Sequence, residues 1–288
     1  MNKRKNLIII SIVLVFIIFS SIYNSPEEIL NTFNIGVVEI EGPIMDSKKT
    51  IKQLENFDKR EDIHAIILWI NSPGGAVVPS QEIYYKVDDI SNNSDKPIVA
   101  SISSLGASGG YYIAIGADKI IANSGSIVGS IGVIMSFPIT KELFEKIGLK
   151  FETFKSGDYK DSGSPYRDVT EQDIEYFQDI VDDLHSQFVI EVANQRGIDV
   201  KKINSLSKGQ IFTGNMALKH NLIDEIGSFE DALLITKKMT NIEKEIKLIY
   251  PKEDESLFIT LFESIKSIKF FMMELGNIPL YFMGGMND

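Results

Sequence analysis

The chain has 288 residues, 44% of them hydrophobic and 24% charged, which suits a globular protein with a substantial core and excludes wholesale disorder. Its formal net charge of −11 argues against nucleic acid as the main partner, since nucleic acid selects basic surfaces. It contains no cysteine, which excludes disulfides, thiolate metal sites, a cysteine nucleophile and lipoprotein-type attachment.

The elements are expected in the following order. Residues 1–6 form a basic stub around Lys3, Arg4 and Lys5, and residues 7–23 carry no charge. No Ala-x-Ala cleavage pattern follows, so the pair reads as an uncleaved signal anchor. The positive-inside rule then keeps the stub in the cytoplasm and puts the rest on the extracytoplasmic side of the cell membrane. Residues 24–34 are a polar stem containing Pro26, and residues 35–250 the globular domain.

Within that domain Ile35–Glu41 alternates as a strand, and Lys48–Asp58 has helical spacing. Ala65–Ile70 is a continuous apolar run, as in a strand buried on both faces. Helix Pro79–Ile90, strand Pro97–Ser103 and a helix from Ser108 to Gly116 follow. Strands Lys119–Ala122 and Ile127–Met135, helix Thr140–Ile147 and strand Phe151–Phe154 come next. Thr170 and Asp173 resemble a capping box for a long amphipathic helix that Gly197 ends. Strand Ile223–Ile226, helix Phe229–Met239 and strand Lys247–Tyr250 complete an α/β pattern with crossovers. In the tail, residues 251–288, the apolar stretch Leu257–Gly276 holds Glu263, Lys266, Lys269 and Glu274. Those charges favour contact with another subunit or the membrane surface over a lipid span.

Two glycine-rich segments carry the chemistry. Asn71-Ser72-Pro73-Gly74-Gly75 follows a buried strand and offers backbone N–H groups that an oxyanion can approach. Gly106-Ala107-Ser108-Gly109-Gly110 puts a serine between small residues at a strand-to-helix turn, formally a nucleophile elbow. That pattern raises a Ser-His-Asp triad, but His185 and His220 lie in helical surroundings and His64 precedes the serine. The alternative activator is lysine, and Lys160 in Ser156-Gly157-Asp158-Tyr159-Lys160-Asp161 is the candidate. A free lysine titrates near ~10.4, so lowering it by about three units takes roughly 4 kcal/mol of discrimination against its charged form. Asp158 and Asp161 oppose that shift unless they are engaged elsewhere. Gly125–Gly132 lacks the ending of a phosphate loop and reads as close strand packing, and no cluster with metal-ligand spacing occurs.

These residues resemble the signal peptide peptidase A family of membrane-anchored serine peptidases, whose fold is similar to the Clp protease and crotonase superfamily, a spiral of strand–strand–helix units. The resemblance is carried by Ile70–Gly75, Ala107–Tyr112, Gly129–Val133, Lys155–Asp161 and Gly209–Gly214, in the family's order. It implies Ser108 as nucleophile, Lys160 as general base, Gly74 and Gly109 as oxyanion-hole donors and Ser130 as a support for the lysine. It further implies an ATP-independent endopeptidase without metal or cofactor, acting on cleaved signal peptides and similar hydrophobic peptides. It also implies a homo-oligomeric ring, typically an octamer, in which neighbouring subunits can share the dyad. Against it stand an acyl-thioester enzyme or an inactive scaffold of crotonase type, and the histidine triad.

Overall fold

A computed structural model describes residues 32–240, 243–251 and 280–281. The expected anchor, residues 7–23, and most of the tail lie outside the described residues. No helix among the described residues is long and apolar enough to cross a membrane.

The centre of the fold is a mostly parallel sheet. Strand β1 (Thr32–Glu41) pairs in parallel with β2 (Ala65–Ser72), and β2 pairs in parallel with β4 (Ile98–Ala107). The run of β-branched and large apolar residues in β2 is buried on both faces, which suits a central parallel strand. Strand β4 is shared between two neighbours. Its first half pairs with β5 (Lys119–Ala122) and its last residues with β6 (Ile127–Gly129). Beyond these, β7 (Ile211–Thr213) runs antiparallel to β6, β8 (Glu225–Ile226) pairs with β5, and β9 (Glu245–Ile249) closes the other edge beside β1. The two-residue β3 (Gly75–Ala76) and β10 (Leu280–Tyr281) form a separate antiparallel pair.

Helices cover both faces. Helices α1 (Lys48–Lys59), α2 (Val77–Asn93) and α3 (Gly109–Ala114) pack over Val38, Leu68, Ala100 and their neighbours. On the other face Phe33, Ile35, Ile67, Val99 and Ile121 meet Ala232 of α8 (Phe229–Thr240). Helix α4 (Lys141–Lys146) is short and exposed. The 26-residue α5 (Glu171–Arg196) starts at Thr170, whose hydroxyl accepts from the Asp173 N–H while the Asp173 carboxylate accepts from the Thr170 N–H. It stops at Gly197, in the left-handed conformation. Helices α6 (Val200–Leu206) and α7 (Gly214–Lys219) lead back to the sheet.

Two expectations are corrected. Phe151–Phe154 forms no strand: Phe154 is 93% exposed, and Phe151 instead stacks on the Tyr166 ring at 3.9 Å between centroids. The strand expected over Ile127–Met135 ends at Gly129, because Gly129 (φ 92°) and Ser130 (φ 50°) turn the chain out of extended geometry.

Candidate active site

In the register of β2 on β4, Ser72 lies opposite Gly106, so both glycine-rich segments emerge side by side at the carboxyl ends of adjacent parallel strands. Sites of open α/β sheets form at that edge. Ser108 follows the last residue of β4 and precedes α3, at φ 52° and ψ −120°. Its N–H donates to the Gly129 carbonyl at 2.7 Å, continuing the β4–β6 ladder through the serine itself. The side chain is fully buried, and its Oγ has no hydrogen-bond partner among the described residues. Leaving a buried hydroxyl unmet costs about 1–3 kcal/mol, so such a group calls for a reason.

The glycines explain the close approach around it. A Cβ on Gly109 would stand 2.3 Å from the Ser80 Oγ and 3.3 Å from the Gly74 Cα, so only glycine lets the two segments touch. Gly109 opens α3, which leaves its N–H without an intrahelical acceptor. Gly74 (φ 95°) donates its N–H to the Ser72 Oγ at 3.1 Å, and that hydroxyl donates to the Gly42 carbonyl at 2.6 Å. The Gly74 amide is therefore engaged by a serine rather than free. Ser130 is buried beside Gly129, with its N–H on the Gln210 carbonyl at 2.9 Å.

Lys160 is placed differently. It sits in a 3₁₀ turn, Asp158–Asp161, on an exposed segment, and its side chain makes no ion pair among the described residues. With Ser156, Gly157, Asp158, Tyr159 and Tyr176 it lines an open cleft of about 470 Å³. Ser108 is not among the residues lining that cleft, and no hydrogen bond joins the two side chains within the chain.

The turn is held by charge. Arg167 donates to Asp161 from Nε at 3.0 Å and Nη2 at 3.2 Å, and to Asp173 from Nη2 at 2.9 Å and from Nη1. Lys155 donates to the Asp161 carboxylate at 2.8 Å, and Ser162 to the Asp173 carboxylate at 2.6 Å. The Arg167 guanidinium holds both carboxyls below the usual range, Asp173 by far the more, with Ser162 and Thr170 adding to the effect on Asp173. The same bonds push Arg167 upward. The sequence marks Thr170 and Asp173 as a helix cap and carries no local signal for Arg167.

The histidines do not form a triad. His185 Nε2 donates to the Ser207 carbonyl at 2.6 Å, His220 packs edge-on to the Phe212 ring, and His64 accepts from the Asn34 N–H through Nδ1 at 3.3 Å.

The profile of Peptidase family S49 matches residues 90–243, more than half the chain. The chain belongs to peptidase family S49. The Clp protease profile matches residues 23–124, in keeping with the mixed α/β fold and its Clp protease-like domain. The S49 chain is 41% identical over 200 residues to "Putative protease slr0021" of Synechocystis sp., covering 69% of this chain and 71% of that one. It is 36% identical to "Putative protease MJ0651" of Methanocaldococcus jannaschii, over 74% and 68% of the two chains. It is 38% identical to "Putative signal peptide peptidase SppA" of Enterococcus faecium, over 65% and 54%. The protein is a serine-type endopeptidase of the family that includes its SppA-named relatives.

Proposed function

We propose that Ser108 is the nucleophile and Lys160 the general base of a Ser-Lys dyad that cleaves extended hydrophobic peptides, signal-peptide remnants among them. The buried, unpartnered Ser108 hydroxyl beside Gly74 and Gly109 carries this reading. The neutral Lys160 amine takes the Ser108 proton as Oγ bonds to the peptide carbonyl carbon. The carbonyl oxygen becomes an oxyanion, stabilised by the N–H of Gly109 and by that of Gly74 as it gives up Ser72. The C–N bond then breaks, the amine leaves with the proton from Lys160, and water hydrolyses the acyl-enzyme to regenerate the serine. Ser130, beside the carbonyl that anchors Ser108, helps hold the lysine when the dyad closes.

The exposure of Lys160 and the burial of Ser108 favour a site completed between copies of the chain in a ring, octameric in the family this sequence resembles. The uncharged segment 7–23 behind its basic stub anchors that ring with its body on the extracytoplasmic side.

The test treats the full chain in detergent with a fluorophosphonate and locates the adduct by mass spectrometry. Labelling at Ser108 should survive His185→Ala and vanish in Lys160→Ala. Survival without Lys160 would sink the dyad. Mixing Ser108→Ala chains with Lys160→Ala chains should restore peptide hydrolysis; no recovery would mean that each copy supplies its own pair.

A further inference from the structure

Lys160 is flanked by carboxylates at Asp158 and Asp161, and either could trap its amine as an ammonium in an ion pair. Asp161 is not available to do so. Both of its oxygens are taken, one by Lys155 and Arg167 Nη2 and the other by Arg167 Nε. Arg167 reaches on with its remaining donors to Asp173, which is 3% exposed and caps α5 through Thr170. The planar guanidinium thus spans two carboxylates, one on the lysine's turn and one on the helix behind it, a reach that a single ammonium lacks. Charge balances within the cluster, with Lys155 and Arg167 against Asp161 and Asp173. Asp158 stays exposed, where water screens it.

We propose that Arg167 is the positioning residue of the base: it fastens the Lys160 turn to the N-terminus of α5 and keeps the Asp161 carboxylate from pairing with the lysine. This inference rests on the reading of Lys160 as the base. The groups that face the turn are Asp158, Tyr159 and Asp161 on the turn itself, Lys155 before it, Arg167 after it, and Asp173 and Tyr176 on α5. Removing Arg167 leaves Asp161 with one cation instead of two and frees an oxygen for Lys160. An added carboxylate partner raises the lysine's pKa, so the neutral form needed for catalysis appears only at higher pH.

The experiment measures the rate of fluorophosphonate labelling at Ser108 in the full chain from about pH 6 to about pH 10, the span over which a shifted lysine titrates. In Arg167→Gln the acid limb should move upward by about one pH unit. Adding Asp161→Asn to the same chain should return the limb to the wild-type position, which repair of a purely structural defect would not do. An unmoved limb in folded Arg167→Gln overturns the proposal, and so does a limb that stays displaced in the double variant. If Arg167→Gln fails to fold, Arg167→Lys carries the test, with the same direction of shift and the same reversal by Asp161→Asn. Labelling that persists in Lys160→Ala removes the base assignment itself, a result distinct from either failure.

Discussion

Ser108 holds a backbone conformation with positive φ that costs a residue with a Cβ roughly 1–3 kcal/mol. Glycine would be free of that cost, losing about 0.4–1 kcal/mol through the greater freedom of the unfolded chain. Strain relief outweighs the entropy, so Ser108→Gly should melt higher than Ser108→Ala in thermal denaturation, while neither variant labels. A glycine variant no more stable than the alanine variant would show that the turn is unstrained. The place of this serine in the fold is legible in the sequence, because Gly-x-Ser-x-Gly after an apolar run marks a strand-to-helix turn. Arg167 is not. An arginine in a polar loop carries no local signal, and its role arises only when Asp161 and Asp173 are folded against it.

Among the elements, α5 has the clearest dependence on acidity. The Asp173 carboxyl is held well below its unfolded value by Arg167 first, then by Ser162 and Thr170. A depressed carboxyl stabilises the fold above its unfolded pKa, near ~3.9, and that contribution fades as pH falls from there toward the folded value. Urea unfolding of the wild type should weaken steadily below about pH 4, whereas Asp173→Asn should start weaker at pH 6 and show a flatter acid decline. Equal acid slopes in the two proteins would remove Asp173 from the cause. The strands and helices read best where one pattern ran long. Ala65–Ile70 and the capped α5 were legible because burial on both faces and the cap at Thr170 are written locally. Phe151–Phe154 makes no strand, since a strand needs a neighbouring edge and Phe151 finds ring partners in Phe144 and Tyr166 instead. Short β7 and α6 carry no pattern in the sequence because tertiary pairing, not propensity, forms elements of that length.

Across the molecule, among the described residues, exposed apolar side chains are frequent from α4 to the first turn of α5, with Leu143, Ile147, Phe154 and Ile174 all open. Exposed apolar side chains that gather into one patch mark an association surface, and these bracket the Lys160 turn in sequence. Phe154→Asp should shift the full chain toward smaller species in sedimentation without lowering its melting temperature. Unchanged sedimentation would remove Phe154 from any contact between copies. The forked strand β4 has a consequence for how the two halves of the site come apart. Ser108 belongs to the sheet through its own amide, so displacing its backbone requires opening the β4–β6 ladder. The Lys160 turn hangs from three side chains at the surface end of a helix and opens by a local fluctuation of far lower free energy. Ser108 and the Lys160 turn therefore sit in different cooperative units, and local opening of the turn leaves the serine in place at the end of β4.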